Sequence, residues 1–297
     1  MLTLVLTWPV AAHLADRMPG TATWAFDEST FAWNIWYFKH ALLDLHVSPL
    51  HSELIWYPLG IDLILYTYNF FNALIALPLL VLGNVPFASN MTLLLATVLS
   101  GFGAYLLASY VLRTAVPSTQ HIRIAAFLAG LIYAFASNRA VYAALGHYDM
   151  VTTQWLPFFA LYLLKTLREP RLRNAFLAGL FLALAALAEM IFASFLAFFT
   201  LIVLLALWRE LRPRLAALGR LVLVGVVAVA IWSPVLVPIV REFLTGDYAL
   251  TGWGESLKLS ADLIGLLTPT DLNPLATGAV TGDVDPTVHW QAALRQV

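Results

Sequence analysis

The chain has 297 residues, 61 % of them apolar and 11 % charged, with a formal net charge of −1 and no cysteine, and its mean hydropathy is +0.82. Soluble chains average roughly 45–50 % apolar and about 25 % charged residues, so this shortage of charge excludes a soluble globular domain and points to a polytopic membrane protein. The near-neutral balance excludes nucleic-acid binding through overall basicity, and the missing cysteines exclude disulfides, thiolate catalysis and Cys-ligated metals.

Met1 to Ala15 is apolar and lacks both a basic leader and a small-residue cleavage site, so it reads as a short first span rather than a signal peptide. It falls short of the roughly 20 residues a crossing needs, which is what a late or clipped chain start would give. A long loop, 16–62, follows. In it Phe31, Ile35, Phe38 and Leu42 recur at helical spacing, predicting an amphipathic juxtamembrane helix over Ser29 to Leu45. Trp33, Trp36 and Tyr37 suit the headgroup level. Asp27 and Glu28 open that helix, and two readings stand. One makes them a helix cap and a first-turn dipole partner, each stabilising by about 0.5–1 kcal/mol. In the other, a carboxylate partly desolvated among aromatic rings at the membrane surface serves as a general base. Leu54 to Gly60 then carries a turn signature at Pro58 and Gly60, suited to walling a cavity.

Ten of the sixteen basic residues gather in three short segments: Arg113 with Arg123, Lys165 to Arg173, and Arg209 to Arg220. Those loops are expected to be cytoplasmic. Of the seventeen acidic residues only Glu169 and Glu210 lie there. If the first span exits at Asp16 and Arg113 is cytoplasmic, Leu63 to Leu112 crosses an odd number of times. Leu63 to Gly83, with Tyr66, Thr67, Tyr68, Asn69, Asn72 and Pro78, is the half expected not to cross, as an interfacial or re-entrant helix. The remaining crossings are Ala88 to Leu112, Ile124 to Ala140, Met150 to Leu164, a hairpin with its outer tip at Glu189, and Leu221 to Val240. With the first span the expectation is an all-α transmembrane bundle of about seven spans over residues 1–240. An external tail, 241–297, is punctuated by Gly and Pro clusters.

Arg139, His147 and Asp149 fall together at the external ends of two spans. Interfacial anchoring and capping account for them as well as a site does, and a His-x-Asp pair fixes no third or fourth metal ligand. Glu189 stands inside thirty-five otherwise uncharged residues. An ionisable group so placed is a functional-site candidate, unless the hairpin tip simply reaches water.

The order of a first span, an acidic motif on a juxtamembrane helix, Tyr57-Pro58-Leu59-Gly60, and Gly146-His147-Tyr148-Asp149 before Thr153-Gln154-Trp155-Leu156-Pro157 resembles the GT-C superfamily of membrane glycosyltransferases. The likeness is to prokaryotic relatives of protein mannosyltransferases and aminoarabinose transferases, and Ser260 to Pro269 with Asn273-Pro274-Leu275 extends it into the tail. It implies a polyprenyl-phosphate sugar donor, membrane lipids as surroundings, and action on the external face of a prokaryotic plasma membrane. Asp27 matches the acidic loop residue, with Glu28 as neighbour or substitute, and Phe26 stands where the family has glycine. The leaving phosphate needs a cation, for which Lys39, Arg139 and Arg241 are candidates, while His147, Asp149 and Glu189 would line the substrate site. No metal site is indicated by spacing, and a divalent cation is left open. No Walker A or GxGxxG sequence occurs. Family members commonly continue with more spans or an external domain, so a fragment is expected. The competing readings are a transporter or flippase, whose inverted repeats are not seen, and a non-catalytic lipid-binding subunit.

Overall fold

The structure, a computed structural model, describes residues 2–20, 27–113, 117–211 and 213–245; the tail beyond Thr245 lies outside the described residues. Its unit over residues 1–241 is helical apart from one two-stranded hairpin among the described residues. Among the described residues four helical stretches are long and apolar enough to cross a membrane: Val85–Leu112, Thr119–Ala144, Met190–Leu207 and Leu215–Thr245. Their outer faces are apolar where a soluble protein would be polar. Phe195, Phe198, Ile202 and Leu205 form an exposed stripe at helical spacing on one, and Val222, Val226 and Val229 on another. A helix apolar on its outside needs lipid there.

The seven expected crossings are not all realised as spanning helices. At the amino terminus α1 (Leu2–Leu6) stops after five residues and is followed by a single 3-10 turn, Val10–Ala12. Pro9 supplies no amide hydrogen and its ring blocks the preceding turn, so the helix cannot continue. The expected span from Met150 to Leu164 is also interrupted, because the chain turns through Thr152 to Gln154 before the helix Trp155–Arg168 begins.

Next comes α2 (Asp27–Lys39), continued by a π turn, His40–Leu45, that ends at His46 in the left-handed region. The predicted face is the buried one: Phe31, Ile35 and Phe38 are inside, with Asn34 and Tyr37 beside them. Trp33 leaves the headgroup role and stacks on Tyr37, ring centroids 4.6 Å apart. A hairpin of β1 (His51–Ser52) and β2 (Ile61–Asp62) follows, then α3 (Phe70–Leu82), capped by Asn69 Oδ1 accepting from Asn72 N at 2.8 Å. Its thirteen residues extend about 20 Å, short of the roughly 30 Å hydrocarbon core.

The remaining helices are α4 (Val85–Leu112), α5 (Thr119–Ala134), α6 (Ser137–Ala144), α7 (Tyr148–Val151), α8 (Trp155–Arg168), α9 (Leu172–Ala188), α10 (Met190–Leu207) and α11 (Arg214–Thr245). α8 and α9, at fourteen and seventeen residues, fall below spanning length. Where α4 crosses α5, a Cβ on Gly130 would lie 2.7 Å from Gly101 O, so only glycine permits the approach. The main core joins α8 to α11 through Phe159, Leu163, Ala178, Phe192 and Val224.

The ends of this body differ in charge. Tyr110 Oη donates to Glu169 Oε1 at 3.4 Å, Lys165 lies 5.4 Å from the Tyr110 ring, and Arg220 Nε donates to Thr166 O at 2.8 Å. The three basic connections therefore share one end. At the other, Asn84 Nδ2 donates to Ala15 O at 2.7 Å and Asn90 Nδ2 to Arg17 O at 2.6 Å, tying the amino-terminal segment to the start of α4.

Candidate active site

Three chain segments far apart in sequence meet at the end opposite the basic connections. The first turn of α2 contributes Asp27 and Glu28, the turn into α7 contributes His147 and Asp149, and the break between α9 and α10 contributes Glu189. His147 Nδ1 lies 3.0 Å from Asp27 Oδ2, and both side chains are about one-third exposed (34 % and 35 %). An imidazole bound at Nδ1 by a carboxylate is fixed in orientation, with Nε2 left for other partners. The Tyr142 ring stands edge-on to His147, centroids 5.8 Å apart, as a second restraint.

Gly146 makes this meeting possible. Its φ is +77°, and a Cβ there would lie 2.7 Å from Glu28 Cβ. The α7 turn thus rests on the first turn of α2 with no room for a side chain. Glu28 is enclosed by that contact and by Gly20, and its Oε2 has no hydrogen-bond partner among the described residues. Tyr148 completes the wall: its ring lies 5.9 Å from Phe31 and its hydroxyl donates to Pro19 O. Burial, with the Glu28 charge adding to it, raises the Tyr148 hydroxyl above its ordinary range and keeps it protonated.

Asp149 is buried, with Oδ1 accepting from Met150 N at 2.7 Å. Burial raises both its carboxyl and that of Glu189 above the usual carboxylate range, and the two groups act on each other. Glu189 also caps α10, its Oε1 accepting from Ile191 N at 3.2 Å. The Asp149 carboxyl feels the His147 and Asp27 charges as well, so these three groups and Glu189 form one electrostatic unit.

The three cations expected to hold phosphate are placed differently. Lys39 pairs with Asp44 at 3.2 Å at the far end of α2, about 18 Å along the helix from Asp27. Arg241 is exposed on α11. Arg139 is buried, and its guanidinium points into the protein. Nε donates to Ala134 O at 3.1 Å, and Nη1 to Val151 O at 2.6 Å, Ser100 Oγ at 3.0 Å and Thr153 Oγ1. It pins the α5–α6 break and the 151–153 turn to α4. Only Nη2, with Thr97 Oγ1 at 3.4 Å, is lightly engaged.

A cleft of about 690 Å³ opens between the amino-terminal segment, α4 and the α5–α6 break, bounded by Trp8, His13, Arg17, Gly20, Arg139 and Ala143. Gly20 links it to the carboxylates, since it also abuts Glu28. Sequence reasoning missed Arg17, which stands on this cleft with its Nε 3.7 Å from Asp16 Oδ2. It also missed the support beneath α7, where Thr152 Oγ1 accepts from Asn72 Nδ2 at 2.9 Å and donates to Tyr148 O at 2.6 Å. Among the described residues no group of three or more His, Asp or Glu side chains has metal-binding geometry. No known protein family, no curated protein and no solved structure matches the chain.

Proposed function

We propose that this chain is an integral membrane glycosyltransferase that moves a sugar from a polyprenyl-phosphate donor to an acceptor on the non-cytosolic face of a prokaryotic plasma membrane, with inversion. The observation that carries the reading is the Asp27–His147 pair, 3.0 Å apart and partly shielded, beside Glu28 at the edge of a cleft. Asp27 takes the acceptor proton while the acceptor oxygen or nitrogen attacks the anomeric carbon. The bond from that carbon to the phosphate oxygen breaks, and the phosphate keeps the electron pair. It leaves without a proton, its charge met by Arg17 and by Nη2 of Arg139, the two cations on the cleft. His147 is a positioning residue that fixes the Asp27 carboxylate, and the apolar walls of the cleft take the prenyl chain.

The test is consumption of a polyprenyl-phosphate sugar by membranes holding Asp27→Asn or Glu28→Gln, assayed separately. Loss of the base should cut turnover by about 10²–10⁴-fold in one of them. Full turnover in both would remove the reading. A second reading, a transporter, is favoured by two ionisable carboxyls at the mouth of the bundle, Asp149 buried and Glu189 half-buried. Substrate flux in proteoliposomes without glycosyl transfer would select it.

A further inference from the structure

The hairpin of β1 and β2 has a rigid base. His51 Nδ1 pairs with Asp62 Oδ1 at 2.7 Å, Tyr37 Oη donates to His51 O, and Leu63 N donates to Leu50 O at 2.7 Å. Its tip is closed by Leu59 N donating to Trp56 O at 2.9 Å. Between Glu53 and Asp62 there is no charged residue. Ile55 turns inward onto the core around Tyr37, Phe38 and Leu63. The rest of the tip does the opposite: Leu54, Trp56, Tyr57 and Leu59 are 58 %, 73 %, 82 % and 84 % exposed. Trp56 holds φ of +60°, a conformation glycine adopts freely and an aromatic residue rarely does. The turn carries a large apolar side chain outward where a small residue would close it with less strain.

The depth of this hairpin follows from its neighbours. Ile64 and Leu50, at its base, pack on Trp232, Val235 and Ile239 of α11. The apolar run of α11 ends at Arg241 and Glu242. At 1.5 Å per residue Val235 and Ile239 lie roughly 9 and 3 Å inside that boundary. The hairpin therefore sits level with the last turns of a spanning helix, where Trp and Tyr concentrate in membrane proteins. We infer that the tip at residues 54–59 inserts into the adjacent leaflet at the boundary between headgroups and acyl chains. It thereby anchors the 51–62 segment, and α2 behind it, to the lipid surface. The occupant is lipid because the base of the hairpin packs on the outer end of α11, a spanning helix, and the tip carries no charge for a polar partner to pair with.

The absence of native cysteines allows a direct test. Tyr57→Cys and Leu59→Cys, each labelled with an environment-sensitive fluorophore in the full-length protein, are reconstituted in phosphatidylcholine vesicles. Quenching by phosphatidylcholine bearing a nitroxide high on its acyl chain is compared with quenching by aqueous iodide. Both positions are so exposed that the substitutions leave the fold intact. Greater loss of emission to the nitroxide lipid than to iodide is the expected result. Greater loss to iodide, meaning a tip in water, overturns the inference. So does protection from both quenchers, meaning a second copy of the chain covers the tip. The readout is independent of any glycosyl transfer, so its failure and that of the proposed activity are separable.

Discussion

Replacing Gly146 with alanine should damage the molecule far more than one added methyl group suggests. At φ of +77° an L side chain sits in the left-handed region, which costs about 1–2 kcal/mol. The new Cβ would lie 2.7 Å from Glu28 Cβ, 3.0 Å from its Oε2 and 3.1 Å from its backbone nitrogen. Two of those atoms are fixed to the helix, so relief requires the first turn of α2 to withdraw, and overpacking of this kind costs about 1–3 kcal/mol. The sum, roughly 2–5 kcal/mol, corresponds to a melting temperature lower by roughly 4–20 °C for a body of this size. Gly219→Ala is the matched control: it lies in α11 with nothing within 4 Å of an added Cβ, and should gain about 0.5–1 kcal/mol. Thermal unfolding in detergent, followed by intrinsic tryptophan fluorescence, measures both. A withdrawn α2 also separates Asp27 from His147, so His147→Gln should cost less in the Gly146→Ala background than alone. Equal melting of the Gly146 and Gly219 variants would refute the close approach and the site geometry built on it.

Acidity should act on stability through the Asp149–Glu189 pair. Burial raises both groups above their ordinary values of 3.8 and 4.5, so the folded state binds protons more tightly than the unfolded chain. Their contribution is complete below those ordinary values and is lost as pH rises through the raised ones. The melting temperature should fall as pH is raised above about 4.5, and Glu189→Gln should flatten that slope. An unchanged slope in the variant would contradict the effect of burial on this pair. Arg139→Met should destabilise by about 2–6 kcal/mol, because it strips the donors from Ala134 O and Val151 O inside the protein, each at about 1–3 kcal/mol. Arg139→Lys should recover only part of that loss, since an ammonium cannot reproduce the fork, and both are read by the same melting assay.

What the sequence revealed follows the range of its signals. The 3.6-residue recurrence of Phe31, Ile35 and Phe38 located the buried face of α2, because packing repeats at the period of the helix. The clustering of Lys and Arg separated the two ends of the body, since charge tracks the ends of spans rather than their contacts. Seven spans are not confirmed where a local break outweighs average hydropathy: Pro9 stops the first helix, and the turn through Thr152 to Gln154 shortens α8. The candidate site was legible as residue types but not as an assembly. Asp149 and Glu189 are forty positions apart, and no local pattern announces that they act on each other. The Gly146 contact with Glu28 joins segments more than a hundred residues apart. Lys39 and Arg139 were nominated by charge alone. Helix rise removes the first from the site, and inward hydrogen bonds commit most of the second.

The approach of Gly146 to Glu28 works as a clasp. Gly146 leads into α7, which rests on the first turn of α2, and Asn72 Nδ2 donates to Thr152 Oγ1 at the other end of that turn. A residue without a side chain thus couples the front of the molecule to α3, and a displacement of α2 would be felt at His147 and at Asn72 alike.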